Sequence, residues 1–156
     1  HTAYRRQRQM CIKRQGEIYS VQGDDFKALD YFKKSLKIVL SVYGENHSQV
    51  SSIYDHIGEI YFAQKDYSKA LYYFEESLKI RLSLFGENHP EVALSYYSIG
   101  SLYIIQGDKS KALNYYEKSL KIRLSVYGEN HPLTKEIMDL INVANSKVLQ
   151  SPETTK

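Results

Sequence analysis

Every glycine of this 156-residue chain falls on a 42-residue ruler, and no other feature restricts its fold as much. Gly16, Gly58 and Gly100 form one series, and Gly44, Gly86 and Gly128 a second. Gly23 and Gly107 belong to a third, in which Lys65 takes the middle place. Residues 69–90 (KALYYFEESLKIRLSLFGENHP) match residues 111–132 at 17 of 22 positions, and a first copy begins at Lys27. A fixed period of this size means stacked supersecondary units, none of which buries its apolar face alone. Such architectures present surfaces to partners and rarely carry chemistry.

Two helical periods fit inside each repeat. Val92, Tyr96, Ile99, Leu102 and Tyr103 make an i, i+3, i+4 stripe, and Gln106-Gly107-Asp108 ends it with a turn residue and a cap. Ala112, Leu113, Tyr116, Leu120, Ile122, Leu124 and Val126 then carry a second helix to Gly128, where Gly-Glu-Asn-His-Pro breaks it. The spacing predicts seven helices, over 3–22, 25–43, 48–64, 67–85, 90–106, 109–127 and 132–149. No alternating segment flanked by hairpin turns is present, so no sheet is expected.

Composition narrows the class. With 42% apolar and 25% charged residues the chain reads as globular, and a net charge of +3 lacks the basic excess of a nucleic-acid binder. One cysteine, Cys11, excludes an internal disulfide framework and favours a reducing compartment, so a cytoplasmic location is expected. No apolar run approaches the ~18–20 residues that would span a membrane. His1 is no native initiator, which marks the chain as a fragment or a processed product. Asn46-His47-Ser48 fits a glycosylation sequon, which in a cytosolic protein is a chance match.

Small residues explain how each hairpin closes. A glycine inside a helix costs ~1 kcal/mol against alanine, so its return at 16, 58 and 100 needs a packing reason. Gly100 opposite Ala112 leaves room for close helix approach, as do Ser35, Ser77 and Ser119, while Phe32, Phe74 and Tyr116 are expected between adjacent repeats.

At these residues the chain resembles the tetratricopeptide repeat, whose pattern is W-x2-L-G-x2-Y followed by A-x3-F. Here it reads Tyr96-x2-Ile99-Gly100-x2-Tyr103, then Ala112-x3-Tyr116. The preceding copies read Tyr54-x2-Ile57-Gly58-x2-Tyr61 with Ala70-x3-Phe74, and Ile12-x2-Gln15-Gly16-x2-Tyr19 with Ala28-x3-Phe32. The common repeat has about 34 residues; the longer one here, with its GENHP-V linker, is similar to the kinesin light chain subclass. The resemblance implies an all-α, right-handed superhelical solenoid of helix–turn–helix repeats. It comprises three repeats, about 3–44, 45–86 and 87–128, and a capping helix at 132–149, in one domain over 3–150 with a polar tail at 151–156. In the cap, Asn142 and Asn145 replace the glycine and the tyrosine. At the other end Arg5, Arg6 and Arg8 stand where later copies have apolar residues such as Val50, which marks an atypical terminal repeat or an edge that meets an upstream one.

Chemistry finds no constellation. His47, His89 and His131 share one Asn-His motif, but they lie two helices apart and cannot converge on a metal, so they read as linker residues at helix starts. His56 is isolated and reads as a surface or groove residue. No nucleophile elbow, zinc-protease motif, paired CxxC or phosphate loop is present, and Cys11 reads as a buried, inert thiol. The expectation is a non-enzyme with no cofactor, no metal, no nucleic acid and no membrane. The fifteen tyrosines follow the repeat register as packing residues, and Lys37, Lys79 and Lys121 lie on outward second helices.

The resemblance implies instead a concave groove lined by the first helix of each repeat. Its inward positions are Lys13, Glu17 and Ser20, then Ser52, Asp55, His56, Glu59 and Phe62, then Leu94, Tyr97, Ser98, Ser101 and Ile104. These vary between copies while the packing positions repeat, as a surface for one asymmetric ligand should. Of the clamp by which chaperone-binding members hold a terminal carboxylate only Lys13 is matched, with Glu17, His56, Leu94 and Ser98 at the other places. Glu17, Asp55, Glu59, Glu136 and Asp139 point to a basic peptide with an apolar or aromatic anchor. The expected function is a protein-interaction module that binds a peptide as scaffold or adaptor. The alternative is a structural spacer or a self-association segment of a larger multidomain protein, pairing through the exposed terminal repeats.

Overall fold

The computed structural model describes residues 1–146, and among them seven helices and no strand. They are α1 (Thr2–Val21), α2 (Asp25–Tyr43), α3 (Ser48–Ala63), α4 (Tyr67–Phe85), α5 (Pro90–Gln106), α6 (Lys109–Tyr127) and α7 (Pro132–Ser146). All the expected boundaries lie within about a residue of these, save the end of the cap. Positions 147–149 of that helix and the tail 151–156 lie outside the described residues. Two compact units divide the chain, His1–Gly86 with α1–α4 and a second that begins at Glu87 with α5–α7.

Local chemistry sets these boundaries. Asp24, Asp66 and Asp108 cap α2, α4 and α6, each accepting the backbone N–H three residues on, at 3.1, 3.2 and 3.1 Å. The ammonium groups of Lys27, Lys69 and Lys111 turn back to the same carboxylates at 3.0, 2.9 and 3.1 Å. Each ammonium also lies over a tyrosine ring, of Tyr19, Tyr61 and Tyr103, at 5.0–5.2 Å. Those rings stack in turn on Tyr31, Tyr73 and Tyr115, with centroids 5.3, 5.7 and 5.7 Å apart. The hairpin turn is therefore one cap, one ion pair and one ring pair, made three times.

The linkers also repeat their design. Nδ1 of His47, His89 and His131 accepts the N–H two residues on at 3.2, 3.1 and 3.2 Å, which places all three histidines at helix starts. The rings of His47 and His131 stack on Tyr43 and Tyr127 at 4.2 and 4.4 Å. Lys65 takes φ +62° in the turn where Gly23 and Gly107 take +76° and +81°. A lysine there carries the Cβ strain that glycine avoids.

Two packing expectations are amended. Phe32, Phe74 and Tyr116 each seat on the glycine of their own hairpin, and Phe32 also meets the next repeat, in the core with Val50, Ile53 and Ile57 and stacked on His56. A Cβ at Gly16, Gly58 or Gly100 would stand 3.0, 2.7 or 2.7 Å from that ring, with the Ala112 carbonyl oxygen behind it at Gly100 (3.3 Å). The glycines thus make room for an aromatic ring first and for the facing backbone second. Cys11, expected to be buried, is exposed. Its face of α1 is the one that α3 buries through Val50, Ile53 and Ile57, and a helix of period 3.6 gives no sign of whether a neighbour covers it.

In the first unit the core joins Ala28, Phe32 and Val39 of α2 to Val50, Ile53, Ile57 and Ile60 of α3. The buried serines serve close approach: Ser119 donates to the Ala93 carbonyl at 2.8 Å, and Ser35 accepts from Gln9 at 3.3 Å.

Candidate functional site

In the first unit the helices α1 and α3 bring four of the eight expected inward residues together, Lys13, Glu17, His56 and Glu59. Lys13 pairs with Glu17 one turn along α1 at 3.4 Å. Across on α3, His56 lies with Nε2 3.6 Å from Glu17 and Nδ1 3.5 Å from Glu59. Its ring stacks on Phe32 at 4.9 Å with planes 10° apart, so the core fixes the imidazole between two carboxylates. A histidine read as isolated in the sequence is the centre of a line of polar contacts that runs Lys13–Glu17–His56–Glu59. Its two nitrogens address different carboxylates, and among the described residues no group of three His, Cys, Asp or Glu is disposed to hold a metal ion.

Asp55 is drawn away from that line. Its carboxylate meets the Arg81 guanidinium of α4 at 2.5 Å, and Arg81 is buried. Burial pushes the Asp55 carboxyl above the ordinary carboxylate range, against the pull of Arg81 and of the Ser77 hydroxyl. Phe62 is half-buried and packs edge-on against Tyr67 at 5.9 Å, Ser52 is half-buried, and Ser20 is exposed.

In the second unit the face of α5 is more apolar. Tyr97, Ser98 and Ser101 are half-buried, and Leu94 and Ile104 are exposed. The Ser101 hydroxyl donates to the Tyr97 carbonyl at 3.0 Å and lies 3.1 Å from the Tyr116 hydroxyl. Beside them Arg123 reaches from α6: it lies over the Tyr97 ring at 5.1 Å and donates to Glu136 at 3.1 Å and to the Leu133 carbonyl. A cavity of about 300 Å³ opens next to Ile104, with Tyr116, Leu140, Val143 and Ala144 as walls and Lys109 and Gly107 at its edge.

Arg81 and Arg123 are the residues that sequence reasoning missed. Both are buried, and both stand at the register of Val39, which is also buried. An arginine on a core register position was the available signal, because such a charge needs a partner. These two pairs, with Lys13–Glu17, already balance Asp55, Glu136 and Glu17. In the first unit Glu59, with its side chain 68% exposed, is the most open of the inward carboxylates. Asp139 is exposed on α7. No helix among the described residues is long and apolar enough to cross a membrane.

Comparison with known proteins agrees with this architecture. The family profile of the tetratricopeptide repeat matches residues 8–83 and 53–125. Among solved structures, BtubC (BKLC) from P. vanneervenii is 19% identical with a TM-score of 0.74, over 95% of this chain and 67% of that one. The nearly identical TPR-like repeats named for a kinesin light chain of Podosopora anserina are 17% identical, TM-score 0.74, over 96% and 71%. The first TPR of Spaghetti (RPAP3), solved with an HSP90 peptide SRMEEVD, is 16% identical, TM-score 0.66, over 92% and 98%. No curated protein matches the sequence. The profile covers most of the chain and the hairpins share the fold of kinesin light chain-like repeats, so the chain belongs to the tetratricopeptide repeat family.

Proposed function

We propose that the chain is a protein-interaction module that holds a peptide segment of a partner against its first helices, as a scaffold or adaptor. The observation that carries this reading is the cavity of about 300 Å³ beside Ile104, a size that suits one large apolar side chain. Lys13, Glu17, Ser20, Ser52, Asp55, His56, Glu59 and Phe62 in the first unit, and Leu94, Tyr97, Ser98, Ser101 and Ile104 in the second, supply the contacts. The peptide-bound Spaghetti repeat supports the mode of use, though not the ligand. A terminal-carboxylate clamp is a poor fit, because Lys13 is already engaged by Glu17.

In the second unit that cavity favours an aromatic or aliphatic anchor, and in the first unit Glu59 favours a basic residue. Since Asp55, Glu136 and Glu17 are balanced, affinity rests on the anchor and the charge contributes selectivity. Fluorescence polarisation with labelled peptides tests this. An anchored basic peptide should bind saturably, lose roughly tenfold or more on Ile104→Asp, and weaken several-fold on Glu59→Lys. Tighter binding of an acidic peptide, unimpaired by Glu59→Lys, would reverse the polarity. Absence of saturable binding across the panel would favour the spacer reading.

A further inference from the structure

One register position sets the second hairpin apart from the other two. It holds Lys34, Glu76 and Lys118, 42 residues apart. In the first and third hairpins the ammonium lies over the tyrosine three residues before it, Lys34 over Tyr31 at 5.4 Å and Lys118 over Tyr115 at 5.3 Å. Lys34 also pairs with Asp30 at 2.6 Å, so a ring and a carboxylate hold one ammonium together. Lys118 also lies over Tyr96 at 5.6 Å, against both rings of a pair whose centroids are 6.0 Å apart. The second hairpin has the same ring pair, Tyr54 and Tyr73, 5.6 Å apart. There Glu76 stands at the lysine's position, and Lys69 lies over Tyr61 instead. Among the described residues no cation lies over Tyr54 or Tyr73.

The surroundings of this uncovered pair suit a cation. A cavity of about 410 Å³ opens beside Tyr54, with Tyr72, Ile80, Glu45, Glu76 and Lys79 in its walls. Tyr72 takes the register of Asp30 and Asn114 and adds a third ring, edge-on to Tyr73 at 5.2 Å. Burial raises the Tyr54 phenol above its ordinary value, and Tyr72, Glu76, Tyr73 and Glu45 add to the rise, so both carboxylates act on that hydroxyl. Neither carboxylate forms an ion pair among the described residues. Lys79 opposes a cation, but one ammonium against two carboxylates leaves the wall negative. Ring faces and carboxylates attract the same charge, and together they select an ammonium over a neutral group.

We infer that the cavity beside Tyr54 is a binding site for a lysine side chain of a partner protein. Its ammonium takes the place over Tyr54 and Tyr73 that Lys118 takes over Tyr96 and Tyr115. An unmodified lysine is preferred, because its N–H groups can donate to Glu45 and Glu76, whereas a trimethylated one keeps the charge and loses the donors. Glu59 and the cavity beside Ile104 have no part in this site.

The probe is a capped glycine–serine peptide with one central lysine, and its controls carry norleucine, the neutral isostere, or trimethyllysine. The full chain with labelled tyrosine rings is titrated at constant ionic strength and followed by NMR. The Tyr54 and Tyr72 signals should shift saturably with the lysine peptide, and the norleucine peptide should bind roughly tenfold more weakly or not at all. Glu76→Lys, which gives the pair its own cation as in the third hairpin, should abolish the response while circular dichroism shows the helices kept. Glu76→Gln should weaken it several-fold, and Glu59→Lys should leave it unchanged, so this site is tested apart from the first-helix face. Lys118→Glu should make the Tyr96 and Tyr115 signals respond where they did not before. No shift at Tyr54 or Tyr72, an equal response to norleucine, or a response that survives Glu76→Lys would each overturn the site. Tighter binding of the trimethyllysine peptide would overturn the choice of an unmodified lysine.

Discussion

The Arg81 guanidinium and the Asp55 carboxylate meet at 2.5 Å, and they join α4 to α3. The arginine side chain is 6% exposed and the aspartate 21%, so the pair is screened far less than a surface ion pair. Asp55→Asn leaves a buried charge without that carboxylate and is expected to cost about 3 kcal/mol. Glu59→Gln, four residues on and exposed, should stay within about 0.5 kcal/mol. Urea unfolding of the two variants measures the contrast, and equal stabilities would show the pair to be idle.

Three glycines under three rings make a graded test of packing. Alanine at Gly58 or Gly100 would place Cβ 2.7 Å from its ring, and at Gly16 3.0 Å. The first two should lose about 1–3 kcal/mol, even though alanine favours the helix. Gly16→Ala should lose distinctly less, and Tyr116→Leu should recover part of the loss at Gly100. Thermal melts that rank Gly16→Ala worst would contradict the seating of the rings.

Lys65 offers a stabilising change. At φ +62° its Cβ is strained, and glycine relieves that strain while loosening the unfolded chain. Lys65→Gly should gain about 0.5–1 kcal/mol net. A melting temperature at or below that of the parent would mean that the lysine side chain holds the turn.

The three caps set an acid limit. Lys27 and Lys69 hold the Asp24 and Asp66 carboxyls below the ordinary range chiefly through side-chain hydrogen bonds, and at Asp108 the Lys111 backbone N–H leads. Because the folded state lowers these carboxyls, their contribution is complete above the ordinary carboxylate range and is lost as pH falls through the depressed values. The same contacts raise the three lysines, whose share is complete below the ordinary ammonium range and lost as pH rises through the raised values. Replacing all three aspartates by Asn, which still caps, should flatten the fall in stability below about pH 4. Identical acid curves for variant and parent would remove the caps from the account.

Helix limits and repeat phase were legible in the chain because their causes are local. Asp108 finds the N–H of Lys111 three residues away, and His89 finds that of Glu91 two residues away, whatever else the protein does. Lys65 could be placed at a turn from the glycines one period on either side of it. What only tertiary structure decided was which side of a helix a neighbour covers. Cys11 and Ile53 share a register, yet one is exposed and the other buried, because α2 lies against α3 while α1 has no such helix among the described residues. Arg81 and Asp55 are 26 positions apart and His56 and Glu17 are 39 apart, so only the packing of helices brings either pair together. The sequence by itself therefore determined the repeat and its turns, whereas which charges stay open on the first helices was decided by contacts between helices, where burial forces each ionised group to find a partner.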